Sequence, residues 1–485
     1  MTDTDFVHAL GNWAQGREPA YLRLAASVRT LIERGDLAPG SRLPAERALA
    51  RLLAVSRTTV VAAYETLRQE ARLASRQGSG TRVRETASSG PGLATEGPSF
   101  RQNPVYKALI EGGAGTIEFL GAHLSGAGVL PTDLGFVKGE LAKLTRGHGY
   151  VPAGLPELRR AVARHLEGWG LPTAEEEVLI TSGAQQAIGL AGALFLRPGD
   201  AVVLEDPTYL GAMDVFGNLG ARFVPVGVDK QGVRLDLLRE AAASASARLL
   251  YLMPTFQNPT GVLMPERARR ELARLCDDLR VPVVEDHTLS DLSLGPDPPP
   301  PIAAFSRGGL VMTVGSLSKL FWGGLRIGWI RAPEPVLARL LRLKITMDLG
   351  SSLVSEVLAV KLLSGAESAK RARRREVKER YECLAALLKR RLPSWSWLPP
   401  CGGLSLWVRL PHGNANAFAQ VALRHGVSVV PGTLASPGGG CEGHLRLPFV
   451  LDPGAMREGV ERLARAWNAY SPAARRERAS LPVLV

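Results

Sequence analysis

The stretch Gly315-Ser316-Leu317-Ser318-Lys319-Leu320-Phe321-Trp322-Gly323-Gly324-Leu325-Arg326-Ile327-Gly328 sets a lysine among small hydroxyl side chains, with an arginine seven residues further on. This grouping suits an aldehyde cofactor that carries a phosphate. The Lys319 amine would form a Schiff base, while Ser316, Ser318 and Arg326 would hold the phosphate dianion.

Around that stretch, apolar runs of strand length alternate with amphipathic helical stretches, the pattern of an open α/β sheet. Ala201-Val202-Val203-Leu204, Leu249-Leu250-Tyr251-Leu252 and residues 281–284 and 310–314 read as strands, with a helix over 265–279 among them. After Asp348 one long charged helix is expected over 351–391, then short strands near 403–408 and 444–449 in a smaller C-terminal α/β subdomain. The run Lys370-Arg371-Ala372-Arg373-Arg374-Arg375 falls on that helix and reads as a solvated face, because Glu376 and Glu379 follow on the same helix.

A chain of 485 residues is too long for one core and implies two or three domains. Its formal net charge of +13 favours an anionic partner without identifying it. Cys276, Cys383, Cys401 and Cys441 show neither disulfide nor zinc spacing. The first residues carry Asp3 and Asp5 and do not read as a signal peptide. Residues 179–196 are apolar but hold Gln185 and Gln186, so they read as strand, loop and helix start rather than a membrane span. The expected location is the cytoplasm.

The N-terminal part has a different character. Residues 1–84 hold 13 arginines, 8 acidic residues and no lysine. Residues 21–34 are helical by period. Pro44-Ala45-Glu46-Arg47-Ala48-Leu49-Ala50, then Leu53-Ala54-Val55, then Ser56-Arg57-Thr58-Thr59-Val60 read as helix–turn–helix, with Ser56 as the cap of the second helix. Arg57, Thr58 and Thr59 fall in its first turn, where a recognition helix presents side chains to double-stranded DNA. Arg76-Gln77-Gly78-Ser79-Gly80-Thr81-Arg82-Val83 reads as a wing with a glycine tip. These segments resemble the GntR-type winged helix over about residues 20–83. The resemblance implies DNA contacts by Arg47, Arg57, Thr58, Thr59 and the wing at Gly78. From 85 to 115 the sequence is rich in Gly, Ser and Pro and reads as a linker.

Four further segments fit the chemistry of Lys319. Thr181-Ser182-Gly183-Ala184-Gln185-Gln186 opens a helix after an apolar strand, where backbone N–H groups bind phosphate. Glu205-Asp206-Pro207-Thr208-Tyr209 puts an aromatic ring after a second strand, for stacking on a pyridine. Phe256-Gln257-Asn258-Pro259-Thr260-Gly261 offers an amide to a phenolic oxygen, with a candidate cis bond at Asn258-Pro259. Val283-Val284-Glu285-Asp286 ends a strand with a carboxylate that would keep a pyridine nitrogen protonated.

In that order the segments resemble fold-type I enzymes that use pyridoxal 5'-phosphate, in particular class I/II aminotransferases, over about residues 116–470. By that resemblance Lys319 forms the internal aldimine and shuttles the proton, Asp286 pairs with the pyridinium, Asn258 touches the cofactor hydroxyl and Tyr209 stacks. Ala184, Gln185, Ser316, Ser318 and Arg326 serve the phosphate. Arg446, in His444-Leu445-Arg446-Leu447-Pro448-Phe449, grips a substrate carboxylate. Tyr150, in Gly149-Tyr150-Val151-Pro152-Ala153-Gly154, reaches the phosphate of a partner subunit, which implies a homodimer.

One departure stands out. The family carries a tyrosine two or three residues after the aspartate, and here those positions are Thr288 and Leu289, with His287 beside Asp286. Loss of that donor should weaken control of aldimine acidity and argues against efficient transamination, while leaving cofactor capture largely intact.

The whole arrangement resembles MocR-type transcriptional regulators: a GntR-type winged helix over 1–84, a linker over 85–115 and an aminotransferase-like domain over 116–485, its small subdomain starting near 350. The resemblance implies promoter DNA, a homodimer, no membrane partner, and sensing of pyridoxal phosphate or an amino compound through an aldimine at Lys319. A working aminotransferase carrying an accessory DNA-binding head remains the alternative.

Overall fold

The structure, a computed structural model, describes residues 2–11, 13–14, 18–76, 80–84, 103, 105–106, 108, 115–308 and 310–479. Gly78 at the expected wing tip, and nearly all of the expected linker, lie outside the described residues.

The head contains α1 (Asp3–Ala9), α2 (Ala20–Glu33), α3 (Glu46–Leu53) and α4 (Arg57–Gln69), followed by the antiparallel pair β1 (Leu73–Arg76) and β2 (Gly80–Val83). Leu24, Val28 and Leu31 on α2 and Val60, Ala63, Tyr64 and Leu67 on α4 are buried at helical spacing, so the two stripes close one small core. Ser56 caps α4, its Oγ accepting from the Thr59 amide at 3.1 Å. Between α3 and α4 the chain reverses at Ala54, which has φ 51°.

The central sheet has eight strands in the order β4 (Val178–Thr181), β11 (Gly328–Arg331), β10 (Val311–Ser316), β9 (Val283–Asp286), β8 (Leu249–Leu252), β5 (Ala201–Asp206), β6 (Arg222–Asp229) and β7 (Gly232–Val233). Neighbours from β10 to β6 pair in parallel, and β11 runs against both of its neighbours. β8, β9 and β10, in the parallel part of the sheet, are buried at every position because both faces are covered, and so is the edge strand β4. In such a sheet the C-terminal strand ends, here Asp206, Asp286 and Ser316, form the edge at which ligands bind.

A second sheet follows the order β12 (Ser396–Trp397), β13 (Ser405–Arg409), β15 (His444–Pro448), β14 (Val427–Pro431) and β3 (Ile117–Phe119). Its edge strand β3 comes from far upstream and pairs in parallel with β14. The small subdomain is therefore assembled from both ends of the aminotransferase-like part.

Two expectations need correction. The single helix over 351–391 is two, α6 (Leu353–Ser364) and α7 (Ala366–Arg391), separated at Gly365. Glycine is the residue that, proline aside, most weakens a helix interior, and here it marks the break. The basic run on α7 is also not simply a solvated face: Lys370 and Arg373 are buried, and the Arg373 side chain is 1% exposed. Among the described residues no helix is long and apolar enough to cross a membrane.

The head rests on helix α8 (Ala415–Arg424) of the small subdomain. The Trp13 indole donates to Gln420 Oε1 at 3.0 Å in a buried contact. Arg424 donates to the carbonyls of Leu53 and Ala54 at 2.9 and 3.0 Å, satisfying acceptors that the end of α3 leaves open. Replacing Gln420 with Ala strands the Trp13 N–H, a loss of about 1–3 kcal/mol. Hydrogen exchange in α3 of the full chain should accelerate in Gln420→Ala, and unchanged exchange would show that this contact does not hold the head.

Candidate functional site

One cavity at the C-terminal edge of the central sheet is lined by Ala184, Tyr209, Asn258, Asp286, Lys319 and Arg446 among others. These residues are far apart in sequence and meet for a topological reason. The first five follow or end strands of the central sheet that stop at this edge, and Arg446 reaches in from the small sheet.

Lys319 lies just beyond β10, and its Nζ donates to the Ala122 carbonyl at 2.8 Å. Loss of water around the amine, then the nearby Arg446 charge, lower its pKa to about 8. An amine so shifted is far more available as a nucleophile near neutral pH than an ordinary lysine. The segment that follows is held by Arg373 of α7, which donates to the carbonyls of Leu320 and Phe321. Sequence reasoning missed this role, since a run of basic residues on a helix gives no sign that one of them points inward.

Asp286 is buried at the end of β9. Its Oδ2 accepts from the Tyr251 hydroxyl at 2.7 Å, and its Oδ1 accepts from the amide and hydroxyl of Thr288 at 2.8 and 2.5 Å. Three donors fix the carboxylate while leaving lone pairs for a further partner. Thr288 therefore does not stand in for the missing tyrosine, because its hydroxyl is turned onto Asp286. Tyr251 was legible only as a residue of a buried strand. His287 points elsewhere, with Nε2 2.8 Å from Glu285 Oε1 and Nδ1 2.7 Å from Ser290 Oγ.

Of the residues expected at the phosphate, Gln185, Ser316, Ser318 and Arg326 lie outside the cavity's lining, and Ala184 lines it at the start of helix α5 (Ala184–Phe195). Gly183 precedes it with φ 91°, and a Cβ there would lie 2.8 Å from Arg326 Nη2. Glycine thus lets the guanidinium cross the start of α5, where Nη2 donates to the Ser182 carbonyl at 2.5 Å. Ser316 Oγ lies 3.0 Å from both Ser318 Oγ and the Ile327 carbonyl, which ties the two serines to the arginine loop. The combination of free helix N–H groups, a cation and hydroxyls suits a phosphate dianion. Gln185 accepts from the Tyr209 hydroxyl at 3.2 Å and so links this end to the ring over the cavity.

Arg446 is buried on β15, and its Nη1 donates to the Leu120 carbonyl at 2.9 Å. Its Nε is buried with no partner among the described residues. Burial lowers its pKa to about 10, which leaves it a cation at neutral pH. A buried cation with an unused donor fits a carboxylate ligand. Asn258 lines the cavity half-buried, and the Asn258-Pro259 bond is cis. Tyr150 is 57% exposed and does not line this cavity.

In the head, Arg47, Arg57 and Thr58 are exposed and Thr59 half-buried, the last three in the first turn of α4. Arg57 pairs with Glu46 at 3.1 Å.

Comparison with known proteins agrees with this division. The family described as "Aminotransferase class I and II" matches residues 138–463, and "Bacterial regulatory proteins, gntR family" matches residues 20–83. The chain is 31% identical over 445 residues to the uncharacterized HTH-type transcriptional regulator YisV of Bacillus subtilis, covering 87% of this chain and 91% of that protein. It is 28% identical over 482 residues to the probable rhizopine catabolism regulatory protein MocR of Rhizobium meliloti, covering 93% and 94%. Among solved structures, LysN, the alpha-aminoadipate aminotransferase of Thermus thermophilus complexed with N-(5'-phosphopyridoxyl)-L-leucine, superposes with a TM-score of 0.69 at 32% identity, covering 76% of this chain and 95% of that one. The cavity is a pyridoxal 5'-phosphate site, and the residues found in it fit that group.

Since the neutral amine is the reacting form, the rate at which the protein captures pyridoxal phosphate should rise as pH climbs through about 8 and level off above it. Stopped-flow absorbance checks this; a flat profile across that range would contradict the lowered pKa. Hydride reduction followed by peptide mass spectrometry should place the pyridoxyl adduct on Lys319 and find none in Lys319→Ala.

Proposed function

The chain belongs to the MocR-type family, a gntR-family head fused to a class I and II aminotransferase domain, and on that premise we propose that it is a transcriptional regulator whose hold on promoter DNA depends on what occupies the Lys319 site. The exposed Arg47, Arg57 and Thr58, with Thr59 and the wing around Gly78, read the DNA. Phosphate contacts by the arginines position the head, and the first turn of α4 faces base edges. Arg57 exchanges Glu46 for DNA when it binds.

Bound pyridoxal phosphate supplies an aldehyde that condenses with amines and a ring that withdraws electrons. The protein's own groups do the rest. Lys319 anchors the cofactor, Asp286 holds the proton on its ring nitrogen, Asn258 meets the ring hydroxyl and Tyr209 covers one face. Arg326, Ser316, Ser318, Ala184 and Gln185 hold the phosphate. Arg446 takes the carboxylate of an amino compound, so the sensed molecule is either the cofactor itself or such a compound bound to it. The exposure of Tyr150, away from its own chain's cavity, supports its reaching the phosphate of a second copy in a homodimer.

The observation that carries this reading is the seat of the head on α8. Asn416 at the start of α8 accepts from the Thr433 hydroxyl at 2.8 Å, and two residues on, the Ala435 carbonyl accepts from the Thr208 amide at 2.7 Å, next to Tyr209. A ligand that shifts the small subdomain against the central sheet therefore moves the platform beneath the head. It changes DNA affinity only to the extent that it binds one arrangement better than the other.

A working aminotransferase is the second reading, favoured by Lys319, Asp286 and Arg446 in one cavity. Thr288 and Leu289 weigh against it, since neither gives the cofactor hydroxyl a phenol donor. Arg57→Ala should lower affinity for DNA from the region upstream of this gene by about tenfold or more, and wild-type affinity should fall steeply with salt. Footprinting and fluorescence anisotropy check both. Sustained turnover of common amino acids with 2-oxo acids, together with no promoter binding, would favour the second reading.

A further inference from the structure

We propose that the His123 imidazole completes the carboxylate-binding end of the cavity, joining Arg446 on a bound carboxylate and taking up a proton as it does so. This rests on the reading of Arg446 as the carboxylate grip and adds to it a positioning residue and a selection among ligands.

The segment leaving β3 forms one wall of the cavity. Its Leu120 carbonyl holds Arg446 and its Ala122 carbonyl holds Lys319, at 2.9 and 2.8 Å. His123 comes next, and its ring folds back over Gly121, close to the two anchored cations. A Cβ on Gly121 would stand 2.5 Å from His123 Cδ2 and 2.7 Å from Nε2, so only glycine admits this placement. The ring lines the cavity and stays open to solvent there. Its exposed ring makes no hydrogen bond to the described residues, while the Arg446 Nε is buried and has no partner there. A buried guanidinium donor without a partner and an imidazole at the open side of a cavity also lined by Phe256, Leu289 and Leu404 suit an anionic group with an apolar tail. A carboxylate offers enough lone pairs for both.

Partial loss of water, then the charges around the ring, set its protonation. The cations Lys319 and Arg446 face it from the end of β10 and from β15, and the same cavity holds the Asp286 carboxylate and the phenols of Tyr106 and Tyr209. Without a ligand, the surrounding walls, then Lys319 and Arg446, press the imidazole down to about 4, so it is neutral at physiological pH. A carboxylate on Arg446 cancels one opposing charge and adds an attracting one. The bound-state value then lies above the free-state value, and binding draws in a proton. The sign follows: affinity rises as pH falls from the bound-state value towards about 4, by at most about tenfold per pH unit, and the gain vanishes above the bound-state value. The site thereby favours amino compounds that carry a carboxylate over plain amines, and more so in acid.

The test uses the full chain saturated with pyridoxal phosphate and 4-methylpentanoate, a carboxylate with an apolar tail and no amine to react with the cofactor. Titration calorimetry in two buffers of different ionisation enthalpy at about pH 6, below the ordinary imidazole value, counts the protons bound. Wild type should take up a substantial fraction of one proton and bind several-fold tighter there than about two pH units higher. His123→Gln should bind without proton uptake and with a flat pH profile. Gly121→Ala, which keeps the histidine but displaces its ring, should behave likewise. Equal proton uptake in wild type and His123→Gln would overturn the proposal. If wild type does not bind this carboxylate at all, the Arg446 reading falls and the proposal with it, whereas the DNA-binding reading is judged separately by the Arg57→Ala footprint.

Discussion

Two backbone carbonyls two residues apart, Leu120 and Ala122, hold the two cations around which the site is built. Lys319 belongs to the central sheet and Arg446 to the small one, so this short segment joins the two layers at the cavity. The same segment leaves β3, the strand that the chain contributes to the small sheet on entering the aminotransferase-like part. Burial near Arg446 keeps the lysine amine reactive, and burial leaves the arginine with a donor to spare. Both properties follow from taking cations out of water without giving them a full set of partners.

Much of this was legible in the sequence where one residue type can do one job. The order Asn258, Asp286, Lys319 at strand ends predicted side chains that now meet at one edge, and Ser56 before Arg57-Thr58-Thr59 marked the cap of α4. The signals that failed were those that depend on direction. Arg373 sits in a run of charges, and nothing local says that its guanidinium turns inward to the carbonyls after Lys319. Tyr251 is one apolar-looking position in a buried strand, and its hydroxyl gains meaning only when β8 and β9 pair. His123 carries no motif at all, and its place follows from Gly121 and from residues far along the chain. Gly365 was present to be read as a helix break, but the helical periodicity on both sides hid it.

Under the proposed regulatory reading, a metabolic shell would be put to use without a need for fast turnover. Regulation needs a cofactor held firmly and a ligand-dependent change in shape, and neither needs the phenol that the aminotransferase pattern places after the aspartate. Thr288 instead donates its hydroxyl to Asp286. The head sits on a helix whose start is tied to the loop leading back to Thr208 and Tyr209, the platform through which the proposed coupling would act. Coupling of this kind is reciprocal: if the ligand weakens DNA binding, DNA must weaken ligand binding by the same factor.

The central claim is that the state of the Lys319 site sets the affinity for DNA. Its most direct test measures the dissociation constant for one promoter duplex at fixed salt, for wild type and Lys319→Ala, each with and without pyridoxal phosphate. The account predicts a shift in wild type that Lys319→Ala does not show. An equal response in both proteins, or none in wild type across every loading of the cofactor, would contradict it.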